Sequence, residues 1–444
     1  KSTKIYRFDK MNDINNGERR YEKWYYGPQE RFLQSINYSS KSKAKAFEKI
    51  NIMMAYQDIK ESRHIQKAND NALNNRFENV KILDLNIDAN KKLLGLNLVY
   101  GIGGRHEDVF STANLSVYDE LLYNTTRYPG GGSKVQNIFA YSQVNMKIKK
   151  SLSILFGGRW NNNKLVAKFN TTDINLEKVE NNNSSFVTSA LVSYSPVKHI
   201  KINASYYDGF RNPNIDDLGK VFSKDDISVV VPNTDLKPEY AQNFEFSLNY
   251  IKKYTRLQLQ FFNSKITNAI KREYSSFNGM DSMLYDGQIM RIQMNQNIEK
   301  AKITGISLNA TFNLNSFLQV NYSCNYLKGV TSENQPLAHI PPLNANFSLS
   351  YKLPKQQQFD ASAEYSAWKR ALDYDDAGVD NLEEGTIDGN PEWYTINMAY
   401  TNKIDEKTSL TFSVKNIFDI HYKTFASGIS ASGRNYILSL YAVF

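Results

Sequence analysis

The sequence predicts an all-β protein, a transmembrane antiparallel up-and-down β-barrel with about 18 strands present. Three observations lead to this prediction. Apolar and polar residues alternate in strand after strand, the links between strands are short and long in turn, and the last strand ends the chain on an aromatic residue. No run approaches the ~18–20 apolar residues that a membrane-spanning helix needs. In a barrel only every second residue meets lipid, so the chain can be polar on average and still span a membrane.

The terminal segment 434–444 is the most informative part of the chain. Tyr436, Leu438, Leu440, Ala442 and Phe444 fall on alternate positions and therefore on one face of a strand. A strand with such a row at the end of a chain has nothing of its own to cover it. A barrel turns the row towards lipid and closes the strand against the first one. We interpret Tyr436, Leu438, Leu440 and Phe444 as the barrel assembly signal.

The same period of two recurs in earlier segments. It runs through residues 243–250, 256–261, 306–314, 318–326 and 409–415. The polar positions are mostly Asn, Ser, Thr and Gln, which suit a water-filled lumen. A soluble sandwich also alternates, but it uses one face of each strand to build a dry core.

The links between these segments alternate in length. Short links are expected around residues 315, 354–357 and 403–407, and long links at 272–297, 328–342, 371–390 and 417–433. Short turns on one side and long loops on the other are typical of an outer-membrane barrel. Counting back from the terminus places a first strand around residues 5–8, running outward. An even set of strands like this could close by itself.

Composition narrows the function classes. The net charge is +9, but the Lys and Arg residues are dispersed and form no basic stripe with interleaved aromatics. We therefore predict no nucleic-acid partner and expect basic loops and rims that meet lipid phosphates or an anionic ligand. The single Cys324 cannot form an internal disulfide, which disfavours a disulfide-built secreted domain.

Four motifs follow one another along the chain. They are Gly-Phe-Arg-Asn-Pro at 209–213, Asn-Thr-Asp-Leu-Lys-Pro-Glu at 233–239, Asn-Ile-Glu-Lys-Ala-Lys-Ile-Thr-Gly at 297–305 and Val-Lys-Asn-Ile-Phe-Asp at 414–419. With Tyr422 and the terminal strand, this series resembles the barrel domain of TonB-dependent outer-membrane receptors across nearly the whole chain. Asn212 and Thr234 stand where that family usually has Ala and Pro. The resemblance implies that residues 1–444 are the C-terminal part of a 22-stranded barrel. The N-terminal plug domain, the TonB box before it and the first strands are then not in this chain.

The resemblance also implies a function. A TonB-dependent receptor in a Gram-negative outer membrane imports a scarce large nutrient, such as a siderophore or another metal chelate. Its expected partners are the TonB–ExbB–ExbD energising complex, acting through the plug, the outer-membrane lipids and a surface lipoprotein. Because no plug is in this chain, the second hypothesis is a non-transporting barrel of the same family that acts as a scaffold or partner in an envelope assembly complex. An outer-membrane hydrolase ranks far behind, because five scattered His residues give no Ser–His–acid spacing, and we predict no enzyme activity.

Candidate ligand-binding residues lie in the predicted outside loops. Tyr128, Arg211, Trp368 and Tyr374 offer the aromatic and cationic groups that suit an anionic, aromatic ligand. Haem receptors of the family carry a His between the first two motifs, but residues 214–232 contain none. This argues against haem uptake. His106, His339 and His421, near predicted strand ends, are interpreted as structural.

Segment 373–384 is the best metal candidate. Asp373, Asp375, Asn381 and Glu384 occupy positions 1, 3, 9 and 12, with Gly at position 6, which approximates a Ca²⁺-binding loop. Position 5 is Ala, and the flanks are predicted strands instead of helices. A solvated acidic outside loop is the favoured interpretation. No other cofactor is expected.

Overall fold

The computed structural model describes residues 2–11, 14–15, 18–42, 45–118, 120–170, 176–219, 221–223, 227–285, 287–375, 379–382 and 385–443. Within them, 23 strands form one sheet and four more form two small two-stranded sheets. The helical elements are α1 (Phe8–Met11), α2 (Ile215–Leu218) and the 3-10 helix η1 (Ala371–Asp373). Among the described residues, none of the helices has the length and apolar composition needed to cross a lipid bilayer.

The strands are numbered in chain order. They are β1 (Ile5–Tyr6), β2 (Ile14–Asn15), β3 (Glu18–Arg19), β4 (Tyr21–Tyr26), β5 (Glu30–Lys41), β6 (Lys49–Lys67), β7 (Leu73–Leu93), β8 (Leu96–Val117), β9 (Glu120–Tyr123), β10 (Ser133–Lys149), β11 (Leu152–Lys168), β12 (Lys178–Val197), β13 (Ile200–Arg211), β14 (Phe222–Ser223), β15 (Ser228–Val231), β16 (Glu239–Lys252), β17 (Thr255–Tyr274), β18 (Ser282–Tyr285), β19 (Gln288–Asn313), β20 (Leu318–Thr331), β21 (Asn344–Leu353), β22 (Gln357–Ser366), β23 (Lys369–Arg370), β24 (Gly389–Asn390), β25 (Trp393–Lys403), β26 (Thr408–Lys415) and β27 (Asn435–Ala442).

The large sheet is an antiparallel meander. In the described part of the chain, seventeen strands have eight residues or more, and each pairs with the next one, from β5 to β27. This number is close to the 18 strands expected. The expectation of a first strand running outward at residues 5–8 differs from the structure. β1 is only two residues long and pairs with β4. The first long strand is β5, which runs inward to the link that joins it to β6. No ladder joins β27 to β4 or β5 among the residues that the structure describes.

The expected alternation of links is confirmed for the predicted links, although the outer link 68–72 between β6 and β7 is also short. The links at 94–95, 150–151, 198–199, 253–254, 314–317, 354–356 and 404–407 are short, whereas those at 212–238, 367–392 and 416–434 are long. We take the long links as the outer side, as the barrel pattern requires. The predicted long link at 272–297 is shorter than expected, because β17 continues to Tyr274 and β19 begins at Gln288.

The two faces of the sheet have different chemistry. On β7, Leu83 and Leu85 are exposed on the same face as Ile102 of β8, while Asp84 lies on the other face opposite Arg105. The apolar face therefore meets lipid and the polar face lines the lumen. Lys81 follows Leu83 on the apolar face in the outward direction. We place the outer edge of the lipid there, so the outer thirds of the longest strands stand above the membrane.

A packed core lies on the lumen side of these strand extensions. One cluster of buried apolar residues consists of Leu165, Ala167, Val179, Leu218 and Leu236. A second consists of Val221, Val229, Val231, Tyr285, Met290 and Ile292. Both include residues of the link 212–238, within which β15 pairs in parallel with the outer part of β19. The link is thus folded against the wall and positions the polar groups of the outer mouth.

Candidate functional site

The site begins at α2, directly after β13. The Asn214 side chain accepts a hydrogen bond of 2.9 Å from the backbone N–H of Asp217, and the Asp217 carboxylate accepts one of 2.9 Å from the backbone N–H of Asn214. This reciprocal cap satisfies two amides at the helix start. The Asn-x-x-Asp spacing therefore fixes one turn of helix at the top of the strand. It holds Asp216 and Asp217 at the mouth.

Arg211 joins the first two motifs. Its Nη1 lies 2.6 Å from the Asp217 carboxylate, and its Nε donates to the Glu239 carboxylate. Arg211 and Glu239 stand directly opposite each other in the ladder between β13 and β16. The structure thus places this candidate ligand-binding residue between two acidic side chains and pairs it with both. In this position Arg211 holds the strand ends together.

Amide side chains bring in the third motif. Asn297 donates to the carbonyls of Lys237, at 3.0 Å, and Asn268, at 2.7 Å, and it accepts from the backbone N–H of Lys237 at 2.8 Å. Asn233 donates to the carbonyl of Asn295 at 2.7 Å. Three of the four sequence motifs therefore meet at one place, and their polar residues satisfy backbone groups where strands end.

Tyr128 packs its loop onto α2. Its hydroxyl donates to Asp216 at 3.0 Å, and Nη2 of Arg127 lies 3.9 Å from the same carboxylate oxygen. Burial, together with the nearby negative charge of Asp216, raises the pKa of the Tyr128 phenol. The next residue, Pro129, is buried close to Gly219, where a Cβ would approach the proline ring to 2.9 Å. Tyr128 is therefore half-buried and turned towards α2.

Arg272 of β17 was missed by the sequence analysis. Its guanidinium lies 5.2 Å from the centre of the Phe222 ring, and its Nε is buried without a hydrogen-bond partner among the described residues. Burial lowers the pKa of Arg272, against the opposing effect of Asp216, Asp375 and Asp217. The negative charges of two different outer links therefore act on the Arg272 guanidinium. No sequence signal marked it, because it fell within a predicted loop.

A second cluster joins the links 332–343, 367–392 and 416–434. The Lys369 ammonium donates to the carbonyl of Ile340 at 2.8 Å and lies 5.6 Å from the Tyr374 ring centre. The Tyr374 ring packs against Phe425, with 5.9 Å between ring centres. Burial lowers the pKa of Lys369, and burial next to Asp380 raises that of Tyr374. Tyr374 is thus a buried residue that ties the links together.

Trp368 is the candidate that keeps an accessible face. It is 39% exposed, its indole N–H donates to the carbonyl of Asp388 at 3.1 Å, and the Arg370 guanidinium lies 5.8 Å from its ring centre. Two neighbours in the same link, Leu372 and Ile387, are 78% and 94% exposed. The outer surface of this link therefore combines aromatic, aliphatic and cationic groups.

His339 and Asp380 connect two of these links. The buried Asp380 carboxylate accepts a hydrogen bond of 2.7 Å from the backbone N–H of His339, and its other oxygen lies 2.7 Å from Nδ1 of the exposed imidazole. His339 adopts a left-handed backbone conformation with φ +63°, which is uncommon for a residue with a side chain. The sequence interpretation of His339 as structural agrees with these contacts.

The structure gives no support to the Ca²⁺ loop. Among the described residues there is no group of three or more His, Cys, Asp or Glu side chains that could hold a metal ion. Asp373 is exposed on η1, Asp375 is buried, and the Asn381 amide donates to the carbonyl of Ala426 at 2.8 Å. Glu384 lies outside the described residues, so the site stays a prediction. Phe444 of the assembly signal also lies outside them, whereas Tyr436, Leu438 and Leu440 are exposed on one face of β27 as expected.

Glu78 is a buried acid on the lumen face of β7, above the lipid. It stands opposite Glu61 of β6, and neither of its carboxylate oxygens has a hydrogen-bond partner among the described residues. Burial raises the pKa of Glu78 to about 7, with Arg63 acting in the opposite direction. This group was not foreseen either, because alternation alone does not show which lumen-facing residues a loop will cover.

Comparison with known proteins places the chain in a family. The family model described as "TonB dependent receptor-like, beta-barrel" matches residues 4–417. The probable hemoglobin and hemoglobin-haptoglobin-binding protein 4 of Haemophilus influenzae is 25% identical over 253 residues, which are 54% of this chain and 25% of that protein. Hemoglobin-haptoglobin utilization protein B of Neisseria meningitidis is 28% identical over 251 residues, 52% of this chain and 31% of that protein. The chain spans roughly a quarter to a third of the length of these relatives.

Solved structures agree on the fold. The copper transporter OprC superposes with a TM-score of 0.78 at 13% identity, covering 95% of this chain and 66% of that one. The siderophore receptor PirA from Acinetobacter baumannii gives a TM-score of 0.70 at 14% identity, covering 96% and 63%. The FrpB iron transporter from Neisseria meningitidis gives 0.67 at 14% identity, covering 94% and 63%. The chain belongs to the TonB-dependent receptor β-barrel family, whose members are outer-membrane transport receptors and not enzymes.

Proposed function

We propose that this chain forms the barrel wall and outer mouth of a receptor that binds a haemoglobin-type protein and imports iron from it, with energy from the TonB system. The observation that carries the proposal is that relatives matched over about half of the chain are named for the binding or utilization of hemoglobin and hemoglobin–haptoglobin. These names favour a protein ligand over the siderophore that the sequence analysis put first.

The chemistry of the link 367–392 supports a protein ligand. Leu372 and Ile387 are exposed outside the lipid-facing part of the sheet, beside Trp368 and Arg370. Exposed apolar side chains next to an aromatic ring and an arginine are typical of protein–protein contact sites. A small hydrophilic chelate would gain little from them, because it buries little apolar surface.

The missing histidine between the first two motifs is compatible with this proposal. In this chain the link 212–238 is folded into the core, where Leu218 and Val229 are fully buried. The described part of this link therefore offers little surface on which a ligand could rest. A protein carrier is held by its own surface contacts, so its capture at the mouth does not require a histidine in this link.

The test uses intact cells that display the full-length protein. Labelled hemoglobin should bind to them, and they should grow with hemoglobin as the only iron source. The double variant Leu372→Glu/Ile387→Glu should lose most of the binding, because it puts charges into the apolar contact. The matched control is Leu314→Glu, which is 63% exposed but lies in the short link 314–317 at the opposite end of the sheet. Uptake of a ferric siderophore without hemoglobin binding would overturn the proposal, as would equal binding by the double variant and the control. Absence of both uptake activities would favour a scaffold.

A further inference from the structure

The lipid-facing side of β10, β11 and β12 changes character sharply at its outer end. Trp160 and Phe186 stand opposite each other on this face and are exposed, as in an aromatic girdle at a membrane interface. Further outward on the same face, the next cross-strand pair is Asn162 with Ser184, followed by Lys164 with Asn182. The wall thus turns from aromatic to amide and then to cationic within two pairs.

Four lysines gather at this level. Lys168 and Lys178 are directly opposite each other, and Lys134 pairs with Val166, which places it on the face of Lys164. We call Lys134, Lys164, Lys168 and Lys178 the outer lysine face. Like charges directly opposite each other destabilise a ladder, so this arrangement favours an anion between them.

Two carboxylates balance the outer lysine face only in part. Glu180 lies 3.0 Å from Lys164 and 2.5 Å from Lys178, and Asp108 lies 3.9 Å from Lys134. Both acids are on the same face as the lysines, so four positive charges meet two negative ones. The remaining charge is positive and exposed.

The surface between the strands is concave. A cavity of about 340 Å³ is lined by Lys134, Lys164, Lys168 and Gln136, together with Asp108, Phe110 and Val166. Next to it, the Asn162 amide donates to the Ser184 hydroxyl at 2.9 Å and to the Asn182 side-chain oxygen at 3.2 Å. Amides and ammonium groups would be costly against acyl chains. They match a ligand that carries hydroxyl and phosphate groups.

We propose that the outer lysine face binds the phosphate groups of a phosphorylated glycolipid of the outer leaflet, while Gln136, Asn162 and Asn182 contact its sugar hydroxyls. The position favours a lipid headgroup over free phosphate. If acyl chains pack beside Trp160 and Phe186, the headgroup of that lipid reaches the cavity directly above. The site faces away from the lumen, so the proposal is independent of the imported ligand.

The test compares lipopolysaccharide binding to the full-length protein, purified in mild detergent, before and after removal of the lipid phosphates. The triple variant Lys164→Gln/Lys168→Gln/Lys178→Gln should bind intact lipopolysaccharide more than tenfold less tightly, since each basic residue near an anionic membrane surface contributes roughly a factor of five. The matched control is Lys252→Gln/Lys253→Gln/Lys403→Gln, which removes three exposed lysines at the opposite end of the sheet and should bind like the wild type.

Two further arms keep the result interpretable. The triple Lys→Arg variant at positions 164, 168 and 178 keeps the charges and should retain binding, which separates loss of contact from misfolding. Dephosphorylated lipopolysaccharide should bind the wild type as weakly as the intact lipid binds the Gln variant. Equal binding of both lipid forms would overturn the proposal, as would displacement of the lipid by inorganic phosphate at millimolar concentration, because the latter identifies a free-anion site.

Discussion

Replacing Leu218 with Ala should release the link 212–238 from the wall. Leu218 is the last residue of α2, is fully buried, and packs in the cluster that contains Leu165, Val179 and Leu236. The backbone N–H of Leu218 donates to the carbonyl of Asn214 at 3.0 Å. The side chain is therefore the main apolar anchor of a single turn of helix, which cannot be stable without packing.

The expected magnitude follows from this burial. A fully buried Leu→Ala change costs about 2.7–5 kcal/mol, and we take about 3 kcal/mol because a one-turn helix can relax in part. The free energy of local opening should fall by that amount, which corresponds to roughly a 150-fold loss of amide protection. The control Ile227→Ala alters an exposed side chain in the same link and should change protection by less than about 0.5 kcal/mol.

Hydrogen exchange followed by mass spectrometry on peptides from residues 212–238 measures both effects. Peptides from β6 and β7 serve as an internal reference, because the ladder between these two strands does not include Leu218 and its protection should not change. Equal protection of the link in the Leu218→Ala and Ile227→Ala variants would refute the argument that this core holds the link.

Three other outcomes are expected. The free energy of unfolding of the Glu78 region should fall by up to about 3 kcal/mol as pH rises from 4.5 towards 7, because the unfolded acid ionises near 4.5 and the folded one only near 7. The Glu78→Gln variant should lose this pH dependence. A stability that does not change with pH in the wild type, measured by hydrogen exchange, would contradict the prediction. Gly389→Ala should open the β23–β24 hairpin and make the link 367–392 sensitive to protease, because the new Cβ would lie 2.1 Å from the carbonyl oxygen of Lys369. The control Gly279→Ala, also at positive φ but with open space around it, should leave the protein resistant to protease. Trp368→Ala should weaken hemoglobin binding by roughly tenfold while the purified protein keeps its heat-modifiable mobility on gels; unchanged binding would exclude Trp368 from the contact.

The sequence predicted the lipid-spanning strands well because their pattern is local. The alternation in 243–250 and 318–326 corresponds to β16 and β20, since lipid on one side and water on the other impose a period of two. The outer part of β19 was missed. One of its partners there is β15, about sixty residues earlier in the chain and parallel to it, besides the antiparallel β17 and β18. The parallel pairing leaves no periodic signal in either segment.

The structure shows where the candidate ligand-binding residues lie, and their role in binding stays a prediction. Arg211 and Tyr374 do lie in the outer mouth, yet Arg211 is paired with Glu239 and Tyr374 is covered by Phe425. Glu239 begins strand β16 and Phe425 lies in another link, 28 and 51 residues away in the sequence, so residue type alone could not show that these groups are already in use. Trp368 remains 39% exposed, because the Asp388 carbonyl takes only its indole N–H.

The length of β19 sets how far this part of the wall extends beyond the lipid. At about 3.3 Å per residue and a tilt of about 40°, its 26 residues rise roughly 65 Å, against an apolar band of about 25 Å. The link at its other end has only four residues, so nearly all of the surplus, about 40 Å, stands on the outer side. With β15, β17 and β18, which pair with its outer part, β19 thus forms a tall section of wall above the lipid. In the proposed function, this tall section is the part of the wall that a haemoglobin-type protein meets first.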